Sequence, residues 1–245
     1  SRMSSIAKAA ARPDSTVRKP SSWSLAFRNL IPRFSFSEST FITRSLVVPW
    51  GVVCEPAGAS QIVEVRRRLG LSGPYLLFVG TLEPRKNLRG LMEAVARLDR
   101  PDLTLAVVGP TGWGDVLAGL ATPASPVARL GHVSETDLSA LYAGAAAFCY
   151  PSFEEGFGLP VLEAMAAGTP VVTSSGTATE DAAGGAALLV DPADPGAIAA
   201  ALASVLDDVD LAARLRAAGL EQARSHSWSD AADLALIAYR TALGA

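Results

Sequence analysis

The chain has 245 residues, 49% of them hydrophobic and 18% charged, which is enough to bury a sizeable core and too apolar for a disordered chain. No apolar run approaches the length needed to span a bilayer. The net charge of −3 conceals an asymmetry, because residues 1–60 carry +5 and the remainder −8, so the two parts differ in kind.

Residues 1–45 are rich in Ser, Arg and Pro, with scattered Trp23, Phe27, Phe34, Phe36 and Phe41 and no sustained period of two or 3.6. They read as an irregular basic linker or remnant. Their charges do not cluster as a nucleic-acid patch would. The chain starts at Ser1 without a methionine, which suggests a processed or partial chain, and its first residues contain no apolar leader. Of the two cysteines, Cys54 and Cys149, the second lies in an apolar run where a thiol behaves as a small hydrophobe, and a reducing, cytoplasmic setting fits. Residues 46–53 form a short strand candidate interrupted by Pro49, and residues 60–69 a helix.

From Tyr75 onward short apolar runs alternate with amphipathic windows. Strands are expected at residues 75–79, 103–108, 127–130 (weakly), 145–150, 170–173 and 186–190. Leu88, Leu91, Met92, Val95 and Leu98 recur at three and four residues, the spacing of one buried helical stripe. Further helices are expected at residues 134–144 and 160–167, with a helical tail from Pro195 to the end. The pattern is that of an α/β, Rossmann-like parallel sheet with helices on both faces. In such sheets ligands bind outside the carboxyl ends of the strands, so the loops after Val79, Val108, Leu130 and Tyr150 share one crevice.

The stretch over residues 150–172 carries the strongest signal for chemistry. After Pro151, the loop holds Glu154, Glu155, Gly156, Phe157, Gly158 and Leu159. Pro160 suits the start of a helix because its missing N–H needs no partner there, and Gly168 followed by Pro170 closes it. Glu155 therefore sits in the loop and Glu163 on the first turns of the helix, with Glu154 facing solvent. Backbone N–H groups at that helix start favour a phosphate. Across the crevice, Gly80 permits close backbone approach, Arg85 and Lys86 place two cations at the mouth, and Asn87 caps the next helix. Alone, that turn reads equally as a solvated one. Facing the glycine loop, it can hold a diphosphate.

The run opening at Gly109 lacks the Gly-x-Gly-x-x-Gly dinucleotide fingerprint and reads as a loop bordering the site. In the next loop Ser134 caps a helix, His132 is a loop residue rather than a base, and the backbone near Val133 can line a base pocket. No metal site is expected. The two histidines are 94 residues apart, and Asp208-Val209-Asp210 falls between helical windows, where acidic residues serve helix termini.

Glu155 and Glu163 eight positions apart inside Glu-Gly-Phe-Gly-Leu-Pro-Val-Leu-Glu-Ala, together with Gly-Thr-Leu-Glu-Pro-Arg-Lys-Asn and Gly-Thr-Pro-Val-Val, resemble the donor-binding half of glycosyltransferase family 4, the retaining enzymes of the GT-B fold. The likeness covers residues 46–245 and implies a nucleotide diphosphate sugar as donor, with no further cofactor and no obligatory metal. It implies that Glu163 bonds the ribose, that Glu155 sits by the donor sugar, and that backbone groups of Phe157, Gly158 and Leu159 meet sugar and phosphate. Arg85 and Lys86 then neutralise the departing diphosphate. Thr81 stands where many members have arginine, which leaves that work to Arg85, and Thr179-Glu180 replaces the usual Pro-Glu.

The resemblance further implies a sugar or lipid-linked acceptor bound by an N-terminal domain that residues 1–45 are too short to form. Peripheral contact with the inner face of the membrane is compatible with it, and a mannose-type donor is one option. Residues 228–243 resemble the helix that crosses back onto that domain and would expose an apolar face here. Two other readings stand beside this one: a non-catalytic Rossmann-like module whose glutamates only cap helices, and a relative of sugar-nucleotide epimerases or glycogen phosphorylase.

Overall fold

The computed structural model describes residues 48–53, 57–113 and 127–243. The expectations for residues 1–45 and for Leu46, Val47 and Cys54 lie outside them. Among the described residues six strands form one sheet: β1 (Tyr75–Val79), β2 (Thr104–Val108), β3 (Val127–Gly131), β4 (Ala147–Tyr150), β5 (Val171–Ser174) and β6 (Leu188–Val190). Every pairing is parallel, in the order β3-β2-β1-β4-β5-β6. β1, β4 and β5 are buried throughout, while the edge strand β3 is partly exposed. This is the two-sided burial that their unbroken apolar runs require.

The helices are α1 (Ala59–Arg68), α2 (Leu88–Arg97), α3 (Glu135–Gly144), α4 (Leu159–Ala166), α5 (Ala178–Ala183), α6 (Pro195–Asp207), α7 (Val209–Arg224) and α8 (Trp228–Leu243). The chain runs outward from β1 to β3, then returns to β4 and runs the other way. Right-handed crossovers therefore put α2 on one face and α3, α4 and α5 on the other. α6 packs on α2, whereas α1 packs on α3 and α7 on α4, so both faces are covered. The reversal falls between β1 and β4, which are neighbours through Leu76 with Ala147 and Leu77 with Phe148. It is outside the carboxyl ends of the strands at such a reversal that doubly wound sheets form their ligand crevice.

Three expectations need correction. Residues 48–53 form no strand: Pro49 has no N–H to give a ladder, and the Val52 N–H donates instead to the His226 carbonyl at 2.8 Å. The helical tail is three helices, broken at Asp208, which caps α7 through the Leu211 N–H at 2.8 Å, and at the turn before Trp228. α5 was not foreseen. The strands themselves match within two residues at each end.

α8 leaves Trp228, Leu236, Ile237, Tyr239 and Leu243 exposed, as the sequence leads one to expect. Among the described residues no helix is long and apolar enough to cross a membrane. Cys149 is fully buried, and that burial pushes its thiol far above the usual range.

Candidate functional site

The site begins where β1 ends. Gly80 takes φ 153°, and a Cβ there would meet the Lys86 ammonium at 2.6 Å, so the missing side chain is what gives that ammonium room. Gly109, at the end of β2 with φ 131°, has the Gly80 carbonyl where its own Cβ would be, and its N–H donates to the Gly131 carbonyl at 2.8 Å. The ends of three strands are thus fastened side by side through glycines. Val133 is half-buried against the core where β3 turns toward α3.

A short 3-10 turn, Pro84–Lys86, follows, and Asn87 caps α2 by accepting from the Gly90 N–H at 3.2 Å. This corrects the picture of two cations at the crevice mouth. Only Arg85 is partly exposed; Lys86 is buried. Its ammonium lies 5.5 Å from the centroid of the Tyr150 ring and forms no ion pair with a carboxylate among the described residues. Burial pulls its pKa below the ordinary lysine value, with Glu155 working in the opposite direction.

Arg85 is spoken for. It pairs with Glu83 at 2.8 Å and with Glu155 at 3.2 Å, and it donates to the Glu154 carbonyl at 3.0 Å. Partial burial works against its charge, but Glu155 and Glu83 outweigh that and hold the guanidinium above its ordinary value. The Phe153 N–H donates to the Arg85 carbonyl at 2.7 Å. The turn after β1 and the loop after β4 are therefore one unit, as the facing of cations and glycine loop requires.

In that loop Glu155 Oε1 accepts from the Tyr150 hydroxyl at 2.8 Å and from Ser152 at 3.3 Å, besides meeting Arg85. Ser152 is itself fully buried, and its carbonyl accepts from Ser174 at 2.6 Å. Burial, and then the adjacent carboxylate, push the Tyr150 phenol well above its usual value, so it stays a donor. Glu163, one turn into α4, accepts from the Tyr142 hydroxyl at 2.9 Å. Tyr142 and Tyr150 both pack against Phe148, at 5.5 and 5.7 Å between ring centroids. The two glutamates are thus each held by a tyrosine, and the tyrosines share one aromatic neighbour.

α4 starts one residue earlier than expected, with Pro160 second and Gly158 as its N-cap at φ 94°. A Cβ on Gly158 would lie 3.2 Å from atoms of both Thr179 and Ala182 in the unforeseen α5. Pro160 has no N–H, and those of Val161 and Leu162 turn back to the Gly158 carbonyl. The N–H groups of Gly156, Phe157, Gly158 and Leu159 have no acceptor among the described residues. Arg85, Lys86 and Glu155 meet around Tyr150, and Glu163 is joined to them through Tyr142 and Phe148. Sequence reasoning missed Tyr142, Tyr150 and Ser152 as polar partners. His132 lies in the loop after β3, and Asp208 serves as a helix cap, both as expected.

The titration of Lys86 gives a test of this geometry. Its folded pKa lies below that of the unfolded chain, so the burial penalty is fully present below the folded value. It is relieved as pH rises through the folded value toward about 10.4, the ordinary lysine value. The stability difference between Lys86→Met and the parent, measured by denaturant unfolding across that window, is expected to move in favour of the parent as pH rises. A pH-independent difference would mean that Lys86 is not desolvated.

The fold and the crevice define an α/β domain that presents buried positive charge and, among the described residues, unpaired backbone donors at its switch point. The family model for glycosyl transferases group 1 matches residues 64–222, and the chain belongs to that family. It is 36% identical over 219 residues to O-antigen chain mannosyltransferase B of Escherichia coli, a match covering 86% of this chain and 57% of that protein. It is 37% identical over 201 residues to a D-inositol 3-phosphate glycosyltransferase of Nocardioides sp., covering 72% and 44%. The chain thus spans about half the length of these relatives.

Among solved structures, a glycosyltransferase from Rickettsia africae superposes with a TM-score of 0.72 at 19% identity, over 81% of this chain and 57% of that one. HepE of Anabaena, in complex with UDP and glucose, gives 0.68 at 22%, over 78% and 54%. These likenesses show the Rossmann-like fold of GT-B glycosyltransferases.

Proposed function

We propose that the crevice binds a nucleoside diphosphate sugar and that the domain supplies the donor half of a retaining hexosyl transfer. One observation carries this reading. Among the described residues the buried ammonium of Lys86 has no ion pair, and the same unit holds four N–H groups, at residues 156–159 leading into α4, that have no acceptor. A buried charge without a partner is costly unless an anion arrives to meet it. A diphosphate between Lys86, Arg85 and residues 156–159 satisfies both sets of donors at once, and the charge that builds on it during transfer meets cations already in place. With that charge matched by the two side chains, transfer has no obligatory need of a metal.

In this reading Glu163 accepts from the ribose and Glu155 lies by the sugar. Retention is the stereochemistry that the motif resemblance implies. A mannosyl donor draws support from the similarity to the Escherichia coli mannosyltransferase. The acceptor, a sugar or lipid-linked sugar, belongs to a further domain of the kind that the longer relatives have room for. Calorimetric titration with UDP and GDP tests the ribose assignment. Glu163→Ala is expected to weaken binding by about 1.5–3 kcal/mol, the worth of a hydrogen bond to a charged group. Unchanged affinity would refute that role.

A further inference from the structure

We propose that Tyr150 is a positioning residue that joins the two halves of the donor site: its ring face supports the cation for the diphosphate, and its hydroxyl fixes the carboxylate for the sugar. This rests on the donor-binding reading above and goes beyond it, because Tyr150 ends a buried strand and would otherwise count as core.

The geometry gives the phenol two distinct contacts. Lys86 Nζ stands over its ring at 5.5 Å, while the hydroxyl donates to Glu155 Oε1 at 2.8 Å. The ring cannot drift, because Phe78 and Phe148 flank it, each with its centroid 5.7 Å away, and the residue is fully buried. A cation over an aromatic face is attracted by the ring's negative quadrupole, and this matters most where water is excluded.

Among the described residues the carboxylate is anchored through one oxygen only. Tyr150, Ser152 and Arg85 all converge on Oε1, and no described residue donates to Oε2. The protein therefore saturates one oxygen and leaves the other to accept from a ligand hydroxyl. Ser152 at 3.3 Å is the weaker of the two neutral donors, and Arg85 is drawn toward the same diphosphate that Lys86 awaits. When the diphosphate takes up Arg85, the Tyr150 hydroxyl becomes the main restraint on the direction of Oε2. Removing that hydroxyl leaves the ring, and hence the support of Lys86, unchanged.

The test uses the full chain and two pairs of probes, UDP with UDP-glucose and GDP with GDP-mannose, read by calorimetry on whichever pair the parent binds. The readout is the ratio of nucleotide-sugar affinity to nucleotide affinity. Tyr150→Phe is expected to change the affinity for the nucleotide by less than about twofold and to lower the ratio by roughly three- to tenfold, the scale of one net hydrogen bond. Glu155→Gln is expected to lower the same ratio, and the double variant to fall no further than the lower single, as residues acting through one another do. Tyr150→Leu, which also removes the ring, should weaken the nucleotide itself.

An unchanged ratio in Tyr150→Phe, or equal losses for nucleotide and nucleotide sugar, would overturn the proposal while leaving donor binding intact. Additive losses in the double variant would do the same. A parent that binds neither pair would overturn the underlying reading with it.

Discussion

Lys86→Met is expected to weaken nucleoside diphosphate binding by about 2–5 kcal/mol, roughly thirtyfold or more, which is the range for truncating one partner of a buried charge pair. The same variant should be at least as stable as the parent at neutral pH. Its ammonium is buried, makes no ion pair with a described carboxylate, and occupies the space left by Gly80. Methionine fills much the same volume without a charge to desolvate, and exchanging a buried charge for an apolar side chain is often neutral or stabilising. Glu155 does not lose its support, since Arg85, Tyr150 and Ser152 remain. Opposite movements of affinity and stability would identify a residue kept for its ligand at the expense of the empty fold. A stability loss comparable to the affinity loss would instead identify a structural lysine.

The second large effect is expected at the strand ends. Gly109→Ala must place a methyl group on the Gly80 carbonyl and hold a side chain at φ 131°. Backbone strain of about 1–3 kcal/mol and overpacking of about 1–3 kcal/mol together amount to a loss of roughly 2–6 kcal/mol. Gly70→Ala provides the control. Gly70 also has a positive φ, 72°, but a Cβ there meets nothing within 4 Å. Only the left-handed conformation then costs, about 1–2 kcal/mol. Denaturant unfolding of both variants separates the two contributions. Equal losses would mean that β1 and β2 do not approach as closely as described, and that the crevice floor is built in another way.

These two residues also show what could be read from the chain and what could not. Gly80 follows the apolar run of β1, and Arg85, Lys86 and Asn87 follow within one turn, so the loop and its capping residue were legible. The burial of Lys86 was not. A lysine in a turn reads as solvated, whereas this one is buried with its ammonium over the Tyr150 ring, 64 positions away in sequence. Tyr150 and Tyr142 were opaque for the same reason. Each lies in an apolar run and reads as core, and only the folded chain brings their hydroxyls to Glu155 and Glu163.

The parallel sheet was readable because strands buried on both faces must be continuously apolar. α5 escaped notice because six residues, Ala-Thr-Glu-Asp-Ala-Ala, are too short to show a helical period. Its place against Gly158 makes it part of the site's wall all the same. The breaks in the tail at Asp208 and before Trp228 carry polar caps, but alanine-rich helices on either side mask them as one continuous window.

A crystal structure of the chain with a bound nucleoside diphosphate sugar tests the central claim most directly. The account predicts a diphosphate within hydrogen-bond distance of Lys86 Nζ and of the N–H groups of residues 156–159, the ribose at Glu163 and the sugar at Glu155 Oε2. A nucleotide seated elsewhere, for instance in the groove lined by Ile62, Val63, Arg66 and Leu71 beside α1, or an empty crevice at saturating ligand, would contradict it.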